Sequence, residues 1–198
     1  RKIPTRWPKP MGSSPPIAVY DACVLYPFQL RNLLVQFAVD RLVDARWTDE
    51  IHDEWIRNLL VKAPTLTRAR LEATRNLMDQ VLPQARVAGY EARIATITLP
   101  DPGDRHVVAA AAEAGAALIV TWNVRDFPAA ELRPHGLRKA TPDAFLTDLY
   151  EASPTVVAAA VENARRNLNL SQVSRLAYLE VLQRQGLKRF VAALSQTP

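Results

Sequence analysis

The chain is poor in the residues that usually announce a staple or a soft-metal site. Among 198 residues there is one cysteine and there are three histidines. The lone Cys23 excludes an internal disulfide and a multi-cysteine metal site, and it suits a reducing, cytoplasmic compartment. His52, His106 and His135 are isolated in spacing, so a zinc site is not expected. No run of about 18 apolar residues exists, which argues against a membrane-spanning helix. The start shows no secretory signal pattern, and no internal repeat is visible.

What is present suits one domain with an appendage. The hydrophobic fraction of 48% is enough for a core, and 23% charged residues is ordinary for a globular chain. The net charge of +5 is unevenly spread. Arg1, Lys2, Arg6 and Lys9 stand without an acid in the first ten residues, and 155–198 holds six basic residues against two acids. The stretch between is slightly acidic, so bulk charge lends only weak support to a polyanionic partner.

Residues 1–16, RKIPTRWPKPMGSSPP, are basic, rich in proline and without apolar periodicity. They read as a flexible arm. Two readings of the first ten residues stand: a non-native extension ahead of a start at Met11, or a native arm that grips a partner. Ile17 to Asp21 reads as a buried strand ending in an acid. Pro27 suits the first turn of a helix, and Leu30, Leu33, Leu34, Phe37 and Ala38 carry that helix's stripe. Thr48 can cap a further helix with Asp49 and Glu50 in its first turn. Residues 66–82 read as a helix and Arg93 to Leu99 as a strand. PDPGD breaks the chain at Pro100 to Asp104, an alanine-rich helix runs from Arg105 to Ala114, and Ala116 to Thr121 is a second buried strand. The rhythm implies an α/β fold, a three-layer α/β/α sandwich on a mostly parallel central sheet. Residues 17–148 form that domain; 149–198 form a helical extension with helices near 155–168, 172–184 and 187–195.

Ligands of open α/β sheets bind outside the carboxyl ends of the strands. Asp21 ends one strand. Thr121, Asn123 and Asp126 follow another in LIVTWNVRDF, and Asp104 opens a helix on the same edge. Glu54 borders the apolar face marked by Ile51 and Trp55. Converging carboxylates repel, and some stay protonated unless a cation compensates. A hard ion, Mg2+ or Mn2+, accepts such oxygen ligands and can activate water in phosphodiester cleavage.

Asp21 after a strand, Glu54 on a helix, GDRHVVAAAAEAGA opened by Asp104, and IVTWNVRDF together resemble the PIN-domain nucleases, the VapC-type toxins of bacterial toxin–antitoxin pairs in particular. The resemblance spans about 17–148, and the tail YLEVLQRQGLKRFVAAL resembles the helical extension of one PIN subgroup. The resemblance implies a metal-dependent endoribonuclease. Asp21, Glu54 and Asp104 match the metal-binding acids and Asp126 the fourth, more variable one. Thr121 and Asn123 match residues that orient ligands or water. It also implies an RNA substrate, a cognate antitoxin and a homodimer. Two positions depart from the pattern. Cys23 stands where Asn, Ser or Thr is more usual, which weakens the polar contact expected beside Asp21. Trp122 replaces a commoner Phe.

Each acid also has a plain structural role open to it. Asp21 and Asp126 can cap turns, Asp104 can cap a helix, and Glu54 can be a surface charge with Asp53 as its rival. Arg105 and Arg125 either pair with acids or hold RNA phosphates; Arg57, Arg165 and Arg166 lie either on solvated faces or against a phosphate backbone. Cys23 has no histidine spaced as its catalytic partner. Two other functions compete with the nuclease. One is a degenerate PIN module that binds RNA or a protein without cutting. The other is a phosphatase-type enzyme with Asp21 as nucleophile, which lacks the second aspartate such enzymes carry two residues on, because Cys23 is there.

Overall fold

The computed structural model describes residues 14–168 and 173–196. Most of the proposed arm, and Gln172 at the start of one expected helix, lie outside them. Four short strands form one sheet: β1 (Ile17–Tyr20), β2 (Asp44–Arg46), β3 (Leu118–Val120) and β4 (Arg138–Ala140). Their order is β2-β1-β3-β4 and every pairing is parallel. Parallel strands need crossovers, and this is where the helices come from. After β1 come α1 (Ala22–Leu25) and α2 (Phe28–Val39). Between β2 and β3 lie α3 (Asp49–Lys62), α4 (Arg68–Val81), α5 (Glu91–Ile94) and α6 (Arg105–Glu113). Next, α7 (Ala129–Leu132) links β3 to β4. The chain reverses direction across the sheet after β2, so right-handed crossovers place α2 on one face and α6 with α7 on the other. That is the three-layer sandwich.

The central strands are fully apolar because both faces are covered: Ala18, Val19, Tyr20, Ile119 and Val120 are all at 0% exposure. After β4 come α8 (Pro142–Ala152), α9 (Pro154–Arg166), α10 (Arg175–Arg184) and α11 (Lys188–Leu194). They continue the core of the α2 face. Tyr20 meets Phe145 edge-on at 6.4 Å, and Phe37 and Tyr150 both pack on Phe190 at 6.3 and 6.5 Å. Asp143 ties the last helix down by accepting from the backbone N–H groups of Arg189 and Phe190 at 3.2 and 2.9 Å. Among the described residues no helix is long and apolar enough to cross a membrane.

Local chemistry explains the boundaries. Thr48, Thr67, Thr141 and Ser174 each accept from a backbone N–H three residues on, capping α3, α4, α8 and α10. One expected element is absent. Residues 93–99 are not a strand: Glu91–Ile94 is a helical turn, and the chain from Ile97 to Leu99 is irregular. The apolar alternation there correctly marks Ile97 and Leu99 as buried, at 3% and 5%, but no ladder receives the segment. Pro27 sits at the cap position of α2, just ahead of Phe28.

Candidate active site

The parallel pairing of β1 with β3 aligns Tyr20 with Val120. The next residues out, Asp21 and Thr121, therefore meet at the carboxyl edge of the two central strands, and their side chains are nearly solvent-free at 3% and 0%. Asp21 does act as a cap, since its Oδ1 accepts from Ala22 N–H at 2.7 Å. Its other oxygen is committed elsewhere. The Thr121 hydroxyl donates to Oδ2 at 2.6 Å and the Cys23 thiol donates to it at 3.2 Å. A buried carboxylate supplied with donors on both oxygens is oriented as well as stabilised.

Cys23 thus keeps the polar contact that its thiol was expected to weaken. Burial and the neighbouring Asp21 carboxylate push its pKa up to about 12, so it stays a neutral S–H donor. The Trp122 N–H donates back to its sulfur at 3.3 Å. The Thr121 oxygen in turn accepts from Asn123 N–H at 2.9 Å, and Asn123 O accepts from Asp126 N–H at 2.9 Å. This chain of bonds turns the backbone after β3 sharply and sets Asn123 and Asp126 at its rim.

Asp104 behaves unlike a capping residue. It occupies the cap position of α6 with no side-chain cap bond. Its Oδ2 is buried without a hydrogen-bond partner. The neighbouring Asp101 does the local capping, accepting from Gly103 N–H at 2.8 Å. Burial first, then the charges of Asp21, Asp101, Asp126 and Glu54, push the Asp104 pKa up to about 7. The Glu54 carboxyl is raised by the same kinds of cause: burial first, then Asp21. Asp21 after β1, Glu54 on α3, Asp104 ahead of α6 and Asp126 in the turn after β3 therefore share one electrostatic field. Asp53 does not belong to it; that side chain is 61% exposed and pairs with Arg75 at 3.2 Å.

Asp101, His106 and Glu50 were not singled out by sequence. The PDPGD break places Asp101 three residues before Asp104, which was the available signal. His106 is isolated in sequence but not in space. Its Nδ1 stands 3.6 Å from Glu50 Oε2 and its Nε2 3.9 Å from Glu54 Oε2, too long for hydrogen bonds. Burial holds its pKa below the usual imidazole range against the pull of Glu50 and Asp21.

The donor set is all oxygen, as a hard cation requires. One of those oxygens, on Asp104, is buried and unsatisfied. Among the described residues no three acidic, histidine or cysteine side chains are drawn tightly round one point. The unsatisfied Asp104 oxygen among these acids suits a hard cation that would offset their charge.

An all-parallel α/β sheet flanked by helices defines the fold class, and the comparisons supply the family. The PIN domain family model matches residues 18–125, and the chain belongs to that family. A second model, the VapC50 C-terminal domain, matches residues 142–196. A relative in Mycobacterium tuberculosis (strain ATCC 25618 / H37Rv), named "Putative ribonuclease VapC50", is 44% identical over 57 residues, covering 27% of this chain and 34% of the relative. The match thus spans about a third of that relative's length. No solved structure matches the chain.

Proposed function

We propose that the protein is a metal-dependent endoribonuclease and the toxin of a toxin–antitoxin pair. The observation that carries the reading is Asp104: a half-buried carboxyl that does not cap its helix, whose Oδ2 is buried without a partner and which feels the charges of Asp21, Glu54 and Asp126. Such a group is a structural liability on its own and an asset only when a cation arrives. Support comes from the family membership and from the name of the relative.

Asp21, Glu54, Asp104 and Asp126 would hold Mg2+ or Mn2+. A bound ion of this kind activates water and offsets charge developing on a scissile phosphate. The chain's own work is positioning. Thr121 and Cys23 hold Oδ2 of Asp21 in one orientation. The Thr121–Asn123 bond fixes the turn that carries Asn123, whose exposed side chain would orient water or substrate. The apolar wall beneath keeps bulk water away from the buried side of the acids, which strengthens their hold on a cation. An RNA substrate, a cognate antitoxin and a homodimer belong to the same proposal.

The test is cleavage of total RNA by purified protein with Mg2+, Mn2+ or EDTA, beside Asp21→Asn and Asp104→Asn. Metal-dependent fragments that vanish in both variants are expected. Full activity in either variant, with its fold intact, sinks the metal-site reading. RNA binding without cleavage under any metal, in protein free of copurified antitoxin, makes the chain a non-cutting RNA-binding module.

A further inference from the structure

Gly186 links α10 to α11 at φ +100°, and a Cβ placed there would lie 3.0 Å from the outermost carbon of the Trp122 ring. Only glycine permits both the backbone turn and that approach. Trp122 is the residue between Thr121 and Asn123, and its own N–H bonds Cys23. Beside Gly186, Gln185 Nε2 donates to Gln29 Oε1 at 2.7 Å, and Gln29 lies in the first turn of α2, at the carboxyl edge of β1. Two independent contacts thus bring the α10–α11 corner to the same sheet edge as the acids.

That corner is cationic. Arg184, Lys188 and Arg189 are all exposed within six residues. Several other basic side chains are committed elsewhere. Arg165 and Arg166 pair with Glu162, Arg75 and Arg86 with Asp49, Arg46 with Asp44 and Arg93 with Glu113. Arg31 is buried over the Trp55 ring at 4.6 Å. Among the described residues, Arg184, Lys188 and Arg189 form no ion pair, although Glu180 stands one helical turn from Arg184. An acidic pocket repels a polyanion, so a strand presented to it needs cations at the rim.

We infer that the α10–α11 corner is the RNA-backbone grip of the site, with Arg184, Lys188 and Arg189 holding phosphates and Gly186 seating the corner against Trp122. This rests on the nuclease reading and assigns part of its substrate binding to the C-terminal helices. Three cations that neutralise separate phosphates of a single strand each contribute about 0.7 to the slope of log affinity against log salt. Their joint removal then lowers the slope by up to about 2.

The experiment measures fluorescence anisotropy of a labelled 20-nucleotide single-stranded RNA in EDTA, where no cleavage competes, across a KCl series. The full chain is compared with Arg184→Gln/Lys188→Gln/Arg189→Gln and with a control, Arg68→Gln/Arg70→Gln on α4. The expected result is a weaker, less salt-dependent complex in the triple variant only, with Mn2+ affinity and melting temperature unchanged. In cleavage assays the triple variant raises KM and leaves kcat near the parent's. If the parent cleaves RNA while the triple variant binds with the parent's affinity and slope, the grip is refuted and the nuclease stands. Equal losses in the control refute it as well. A parent chain that neither binds nor cleaves RNA overturns both.

Discussion

Replacing Thr121 with valine tests how the central strands build the site, because it removes one hydroxyl and almost no volume. That hydroxyl donates to Asp21 at 2.6 Å and accepts from Asn123 N–H at 2.9 Å. Its side chain is fully buried, so water cannot substitute. A hydrogen bond to a charged group contributes about 1.5–3 kcal/mol, and orphaning a buried partner carries the full desolvation cost. Asp21 retains Ala22 N–H and the Cys23 thiol, which keeps the loss near about 2–3 kcal/mol rather than more. For a chain of this length, 1 kcal/mol moves the melting temperature about 2–4 °C, so the variant should melt roughly 4–12 °C lower. Mn2+ affinity should fall about 10- to 100-fold, the usual consequence of losing a group that orients a ligand. Thr121→Ser keeps the hydroxyl and should recover most of the metal affinity. Calorimetry in EDTA and Mn2+ titration read the two effects separately. A valine variant with the parent's melting temperature and metal affinity would refute the claim that this bond orients Asp21.

The Asp104 carboxyl, raised from 3.8 to about 7 in the fold, makes the metal-free protein lose stability as pH rises. The native state keeps a proton that the unfolded chain has released, so the stabilisation is complete below about pH 4 and disappears through about pH 7. Melting curves in EDTA between pH 5 and 8 should show that slope, and Asp104→Asn should flatten it. Glu54→Gln should weaken Mn2+ binding and cleavage, whereas Asp53→Asn, which only breaks an exposed pair with Arg75, should leave both unchanged; paired titrations decide between the two acids. Gly186→Ala should cost about 1–3 kcal/mol through backbone strain, with the Trp122 contact added, and urea unfolding reads it.

Periodicity in the sequence was informative wherever an element buries one face or is wholly buried. The runs at Ile17–Tyr20 and Leu118–Val120 became the central strands, and the α2 stripe is buried at Leu30, Leu33, Leu34 and Phe37. The edge strands β2 and β4 escaped notice because Asp44–Arg46 and Arg138–Ala140 are three residues each and mostly polar, so they carry no pattern. The 93–99 segment misled for the opposite reason: its burial is real, but pairing depends on a vacant neighbour that no local pattern encodes. At the site, Asp21 and Asp126 could be read as following strands, Asp104 as opening a helix, and Glu54 as bordering the apolar face of another. Whether Asp104 caps its helix could not, because the local pattern suits a cap at either Asp101 or Asp104 and only Asp101 accepts from the backbone. The approach of Gly186 to Trp122 was equally hidden, since residues from different layers meet there.

The Asp21–Thr121 bond joins groups 100 residues apart, and between them the chain first lays β2 on one side of β1 and then crosses back to lay β3 on the other. During synthesis at about 5–20 residues per second, Asp21 therefore waits roughly 5–20 s for its partner strand. In that interval β1 can pair only with β2, and Asp21 lacks both its hydroxyl donor and the carboxylate of the β3 turn. The bonded pair at the centre of the acids therefore cannot form before the residues of β3 and the turn after it have been made.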